Sequence, residues 1–112
     1  MNKLTKTDIL LEVDDVFDKK VRITAAYWKY VLYTKHREAI NELNIELLKK
    51  CLVDPNFVIS TLEKSVVQFY HQMDDSRYVC VVVRHLNGDG FVITSYITRQ
   101  PKRNNKILWS RK

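Results

Sequence analysis

Residues 78–98, YVCVVVRHLNGDGFVITSYIT, predict two β-strands joined by a tight turn. Val, Ile and Phe favour extended structure, and the Asn-Gly-Asp-Gly segment between the two runs is typical of hairpin turns. Thr94, Tyr96 and Thr98 stand two residues apart, so a pleated strand points all three side chains the same way. A strand that only filled a core would carry apolar residues there. This face is therefore either solvated or one wall of a site.

Turns centred on Gly88-Asp89 and on Asp74-Asp75 would fix the register of three strands and so decide which side chains share a face. One face is then mixed in character, as expected of a shallow cleft, and holds Gln68, Tyr70, Val81, Val83, His85, Thr94 and Tyr96. The other is more apolar and is expected to pack on helices; it holds Val67, Phe69, Tyr78, Cys80, Val82, Phe91, Ile93 and Ile97. In this register Arg84 lies on the other face of the sheet from Thr94. Either a bulge changes the register or Arg84 has a structural role.

The N-terminal half predicts a strand pair followed by two helices. The strands are expected at Leu10–Phe17 and Lys20–Ile23, and Thr24 is the expected N-cap of the first helix. The second helix places Ile45, Leu48, Cys51 and Leu52 on one stripe and ends at Asp54-Pro55. Further strands are expected from Phe57 onward. The fold class is therefore α+β, with two helices packed on a mainly antiparallel sheet of about four strands, in one domain over residues 1–112.

Composition limits the class of protein and its environment. With 46% hydrophobic and 29% charged residues and only two Gly and two Pro, the chain is expected to fold as an ordinary globular domain. Cys51 and Cys80 lie in apolar runs without a nearby partner and are expected to be buried free thiols, which fits the reducing cytoplasm. The sequence contains neither an apolar run long enough to span a membrane nor a signal-peptide pattern.

The net charge of +6 is concentrated at the C-terminal end, where residues 98–112 carry six basic residues and no acidic one. Such a basic patch is either a solvated surface or a set of phosphate contacts, and the sequence supports both interpretations equally. Lys102 and Arg103 are the candidates for contact with substrate.

His36, after the first helical stripe, is the leading candidate for an acid or base, because imidazole moves protons near neutral pH. Its alternative role is to cap the helix C-terminus. His71 and His85 are weaker candidates, expected to be half-exposed structural residues at strand ends. The histidines show no i, i+4 pairing and no clustered carboxylate, so a metal site is not expected. The sequence has no Gly-rich phosphate loop either, and no cofactor is expected.

The ordered segments ITAAYWKYVLYTKHRE, VDPNFVI, VVQFYHQ, YVCVVVRHLNGDGFVITSYIT and KILW resemble the small phage and prophage domains of the barnase, EndoU, colicin and RelE (BECR) ribonuclease-like superfamily. The resemblance covers about Ile23 to Trp109. It rests on a helix that ends in His followed by a polar pair, an Asp-Pro before the first sheet strand and a Thr-x-Tyr in the penultimate strand. His36 matches the family pattern. The family is expected to have Pro-Glu after this His, whereas here Arg37 precedes Glu38.

The resemblance implies a metal-independent endoribonuclease in which His36, Thr94 and Tyr96 are catalytic, with Tyr70 and Arg84 as looser matches. It also implies a toxin or prophage effector held by a cognate antitoxin protein. In such a reaction His36 would transfer a proton to or from RNA, Tyr96 and Thr94 would contact phosphate, and Arg84, Lys102 or Arg103 would supply charge. The alternative is a non-catalytic module with the same fold that binds RNA or protein. The sequence does not decide the oligomeric state.

Overall fold

The computed structural model describes residues 9–34, 44–87, 89–102 and 105–111. They form one seven-stranded sheet with two helices on one face. The elements are β1 (Ile9–Asp14), β2 (Lys20–Thr24), α1 (Ala25–Thr34), α2 (Ile45–Val53), β3 (Phe57–Ser60), β4 (Val66–Gln72), β5 (Tyr78–His85), β6 (Asp89–Thr98) and β7 (Ile107–Ser110).

The sheet order is β1-β2-β6-β5-β4-β3-β7. The β2–β6 pair is parallel, and every other neighbouring pair is antiparallel. The expectation of two helices on a four-stranded antiparallel sheet is therefore wrong, although the fold remains broadly α+β. The first hairpin and the basic C-terminal segment both extend the same sheet, one at each edge. Local sequence patterns identify strands but do not reveal a pairing between positions about seventy residues apart.

Side-chain caps begin both helices, and a short-range signal also ends α2. The Thr24 hydroxyl accepts a hydrogen bond from the backbone N–H of Tyr27 at 3.1 Å, which confirms Thr24 as an N-cap. Asn44 caps α2 in the same way, through the backbone N–H of Leu47 at 2.9 Å. Helix α2 ends at Val53, before the Asp54-Pro55 pair, as predicted.

The main core lies between the helices and one face of the sheet. The predicted stripe of α2 is confirmed, because Leu48, Cys51 and Leu52 are buried there. They pack against sheet residues that are also buried: Val21, Ile23, Phe69, Val79, Val81, Val83 and Val92. Each fully buried aliphatic side chain of this kind stabilises the fold by about 1.5–3 kcal/mol. No helix in the described part of the chain is long and apolar enough to cross a membrane.

The predicted register is wrong by one residue, and this reverses the faces of β5. Tyr70 pairs with Cys80, Val82 with Thr94, and Cys80 with Tyr96. The β4–β5 turn is centred on Asp75, because Gln72 pairs with Tyr78 and the Met73 N–H donates to the Arg77 carbonyl at 2.9 Å.

The β5–β6 hairpin contains a β-bulge as well. Its turn lies one residue earlier than expected, since the backbones of Leu86 and Asp89 exchange hydrogen bonds. Farther along, Val82 pairs with Thr94 but Val83 pairs with Val92, so Ile93 is an extra residue on β6. Arg84 consequently lies on the same face as Thr94, which removes the difficulty that the predicted register created.

Candidate functional site

The sheet face opposite the two helices, called the helix-free face below, brings together four of the predicted site residues: Tyr70, Arg84, Thr94 and Tyr96. Their common direction follows from the cross-strand pairs and the alternation of side chains along each strand. The same face carries Phe57, Ile59, Val66, Gln68, Tyr78, Cys80, Val82 and Phe91. Part of it is buried although neither described helix lies above it, as a second apolar cluster around Phe57, Tyr70 and Cys80.

The described residues of the connection between β6 and β7, 99–102 and 105–106, are called the crossing segment because Lys102 and Asn105 lie over this face. The two strands are separated by β5, β4 and β3 in the sheet, so the connection spans four strand spacings, about 19 Å. Its backbone is held at Lys102, whose N–H donates to the Tyr70 hydroxyl at 3.2 Å. The Asn105 side-chain amide donates to the Ser60 carbonyl at 3.0 Å and holds the far end.

Tyr70 is an anchor for the crossing segment rather than a group that can touch a ligand. The residue has no exposed surface. Its hydroxyl donates to the Gln68 side-chain oxygen at 3.2 Å while accepting from the Lys102 backbone. The ring stacks on Phe57 with centroids 5.0 Å apart. The expected role of Tyr70 in direct substrate contact is therefore wrong, because the crossing segment covers it.

Tyr96 and Cys80 form a protonated polar cluster with Tyr70 beneath the crossing segment. Burial raises the pKa of the Cys80 thiol to about 11, although hydrogen bonds with both tyrosines and the charge of Lys102 oppose that rise. Burial also raises the pKa of Tyr70 and, far more strongly, that of Tyr96, which hydrogen bonds to Cys80 and Tyr70 raise further. Tyr96 is thus a neutral hydroxyl near neutral pH and can act as a hydrogen-bond donor, but not as a base.

A groove of about 650 Å³ lies on this face beside the crossing segment. Its floor is formed by Val66, Val82 and Gln68, and its walls are residues 61–63 on one side and Lys102 with Asn105 on the other. Thr94 pairs with Val82 and Arg84 pairs with Val66, so both stand directly beside the floor. The volume is in the range typical of small-molecule sites, and the polar groups stand at its margin.

Arg84 is fixed beside this groove by a carboxylate. Its Nη2 donates to Oε1 of Glu63 at 2.7 Å, and a third of its side chain is exposed. A guanidinium has five N–H donors, so one bond to a carboxylate leaves donors that can contact a second acceptor. Arg84 can therefore contact an anionic ligand while Glu63 holds it in place.

His36 and Arg103 lie outside the described residues. The helix that precedes His36 packs on the opposite face to Thr94 and Tyr96, because the Tyr27 hydroxyl of α1 is hydrogen-bonded to Ser95, which is buried on the helix side. The described residues therefore bring together Thr94, Tyr96, Arg84 and Lys102, and they do not test the proton-transfer role of His36.

His85 has a partner that the sequence did not reveal. Its Nε2 lies 2.7 Å from Oδ2 of Asp15, with 9% of the His85 side chain and none of the Asp15 side chain exposed. The expectation of a half-exposed histidine without a carboxylate partner is wrong for His85. Asp15 has the character of a turn residue, but no local pattern joins positions 15 and 85. His71 bonds the Asp54 carbonyl through Nδ1 at 2.8 Å.

The described side chains contain no group of three His, Cys, Asp or Glu residues arranged to hold a metal ion. Cys51 and Cys80 are both free and buried, as predicted. Comparison with protein families, with curated proteins and with solved structures gave no match to this chain.

Proposed function

We propose that the protein binds single-stranded RNA on the helix-free face. The observation that carries this proposal is a groove with a mostly apolar floor and with Lys102 in its wall. Arg84 and Thr94 stand beside that floor, because they pair with Val66 and Val82. Hydroxyl and guanidinium donors with an ammonium group suit phosphate oxygens, and an apolar floor suits the face of a base.

The charge distribution supports a polyanionic ligand. The chain carries a net charge of +6, and the crossing segment has basic residues and no acidic one. Both described helices pack on the other side of the sheet, so neither of them is available on the helix-free face to enter a DNA major groove. An open sheet with a basic margin fits an unpaired strand better, because the bases of such a strand are accessible to side chains.

The titratable groups of this face favour binding over cleavage. Transesterification needs a base that accepts the 2′-hydroxyl proton. Among the described residues of the face, Glu63 is ion-paired with Arg84, and burial raises the pKa values of both Tyr70 and Tyr96. Metal-independent RNA cleavage remains a prediction that depends on His36.

We also propose that the protein acts in the cytoplasm. Two buried free thiols are consistent with action in a reducing cytoplasm. A toxin or prophage role with a cognate antitoxin rests on the resemblance alone, and an RNA-cleavage assay tests its first requirement.

Binding is tested with a fluorescently labelled single-stranded RNA of twelve nucleotides. Lys102→Gln is expected to weaken binding about 5-fold near 0.1 M salt and to lower the salt dependence by about one phosphate contact. Lys49→Gln removes the same charge from an exposed position on α2, on the other side of the sheet, and is the matched control. Absence of RNA binding by the unaltered protein, or equal effects of the two variants, would contradict the proposal.

Cleavage is tested by incubating total RNA with the protein in EDTA. Intact RNA is the expected result for a binding module. Fragments ending in a 2′,3′-cyclic phosphate, lost in both His36→Ala and Tyr96→Phe, would instead establish a ribonuclease that uses the predicted residues.

A further inference from the structure

A row of paired residues crosses the helix-free face from the groove towards the first hairpin. Val66 pairs with Arg84, Arg84 with Phe91, and Phe91 with Arg22 of β2. Directly paired residues point to the same face, and neighbouring strands lie about 4.8 Å apart. Phe91 therefore stands between two arginines, one strand away from each and two strands from the groove floor.

Phe91 is exposed because the bulge at Ile93 changes which side chains of β6 point inwards. Val92 points into the helix-side core, where it is 4% exposed, whereas Phe91 on the helix-free face is 39% exposed. Leu86, Ile93 and Ile9 are exposed nearby to between 37% and 50%. Phe91, Leu86 and Ile9 line a shallow depression of about 430 Å³. The rest of its lining is formed by Arg22, Thr24, Asp89 and Gly90. An exposed apolar patch with a charged margin is typical of a binding surface.

The charges beside Phe91 distinguish its two sides. Towards the groove stand Arg84, which is bonded to the single carboxylate of Glu63, and, beyond it, Lys102. Towards the first hairpin, Arg22 is bonded to Glu12 at 2.6 Å and lies 3.4 Å from Asp89, so two carboxylates surround one guanidinium. Those carboxylates disfavour phosphate on the hairpin side. A nucleotide that reaches Phe91 would therefore keep its phosphate near Arg84 and place its base over the ring.

We infer that Phe91 is a base-stacking platform, and that a single-stranded RNA bound in the groove continues across Arg84 and places its next base on this ring. The inference rests on the RNA-binding function proposed above. Stacking requires an accessible aromatic face and tolerates any base. It also requires an unpaired base, so the inference predicts a preference for single-stranded over double-stranded RNA.

The inference predicts that Phe91→Ala weakens binding of the labelled single-stranded RNA about 5- to 100-fold, the range expected when one stacked base is lost. Phe91→Trp should keep most of the affinity because it keeps an aromatic face. Leu108→Ala is the matched control, since Leu108 is also 39% exposed but lies on the edge strand β7. Circular dichroism spectra establish that each variant is folded.

Inorganic polyphosphate, a polyanion without bases, distinguishes stacking from charge. It is added as a competitor for the labelled RNA. Phe91→Ala should leave the affinity for polyphosphate unchanged, whereas Lys102→Gln should weaken the binding of both polymers.

Several outcomes would overturn the inference. If the protein binds RNA but Phe91→Ala binds it as tightly as the unaltered chain, the platform is wrong and the proposed function stands. If Phe91→Ala weakens the binding of RNA and of polyphosphate equally, the substitution acts on the structure and not on base stacking. If it changes only the oligomeric state in sedimentation experiments, the patch is a protein interface. If the unaltered protein does not bind RNA, both proposals fail together.

Discussion

Asp15 is the buried carboxylate on which the turn of the first hairpin depends. Its Oδ1 accepts hydrogen bonds from the backbone N–H groups of Phe17 and Lys19, at 2.8 and 3.1 Å. Its Oδ2 binds His85 of β5. The His85 ring also makes edge contacts with Phe17 and Phe69, at centroid distances of 5.8 and 6.1 Å. One side chain therefore connects the hairpin turn to the centre of the sheet.

We expect Asp15→Ala to lower the free energy of unfolding by about 3 kcal/mol, because it leaves two backbone donors and a buried imidazole without their acceptor. Asp15→Asn should cost less, since its amide oxygen can still accept from the backbone. Urea denaturation measures both. The control is Asp14→Ala at the adjacent position, where the side chain is 65% exposed, and its loss should be about 0.5 kcal/mol or less. Similar losses at positions 14 and 15 would contradict this role.

At the scale of elements, the crossing segment decides what the helix-free face can bind. It covers Tyr70 and leaves the groove open beside Lys102 and Asn105. The basic C-terminal end is held to the sheet as far as Arg111. Ser110 pairs with Phe57 as part of β7, and the Arg111 N–H donates to the Asn56 carbonyl at 2.9 Å.

Tyr70→Phe removes the hydroxyl that holds this segment while keeping the ring that stacks on Phe57. We expect the free energy of unfolding to fall by about 1 kcal/mol, the usual effect of losing one buried hydrogen bond. RNA affinity should also fall, by less than in Lys102→Gln, because Lys102 keeps its charge but loses its anchor. Urea denaturation and RNA titration measure the two effects. If neither quantity changes, the Tyr70 hydroxyl does not position the crossing segment.

At the scale of the whole molecule, each face of the sheet buries thiol or phenol groups that must remain neutral. Burial raises the pKa of Cys51 well above its ordinary value on the helix side. On the other face it raises the pKa of Cys80 from an ordinary 9.0 to about 11, and the pKa values of Tyr70 and Tyr96 also rise. The unfolded chain therefore loses these protons at lower pH than the folded chain does.

The stabilisation that comes from the raised pKa of Cys80 is therefore fully present below about pH 9. The free energy of unfolding falls as the pH rises towards 11, because the unfolded chain loses the proton while the folded chain keeps it. Cys80 alone accounts for about 3 kcal/mol of this loss. Urea denaturation at several pH values measures the slope. In Cys80→Ala the free energy of unfolding should decrease less steeply over the same pH interval. An unchanged slope in that variant would show that Cys80 does not contribute.

The sequence alone determined the features that depend on neighbouring residues. Thr24 marks the start of α1 and Asp54-Pro55 marks the end of α2, because capping and proline sterics act over one to three positions. The apolar stripe of α2 and the strands from Phe57 onward follow from periodicity in the same way. Thr94 and Tyr96 share a face for this reason too, since the pleat alternates whatever the partner strand is.

The residues that lie beside Thr94 and Tyr96 depend instead on long-range strand pairing, which appears first in the folded structure. A slip of one residue moves every side chain of a strand to the other face, and the turn at Asp75 together with the bulge at Ile93 set that slip. As a result, Arg84 lies on the same face as Thr94, whereas Val81 and Val83 point into the core and not into the predicted cleft. The Asp15–His85 pair and the parallel β2–β6 contact join positions about seventy residues apart. Such contacts form only when burial of the whole sheet offsets the entropy of closing a long loop, and no local pattern in the chain encodes that balance.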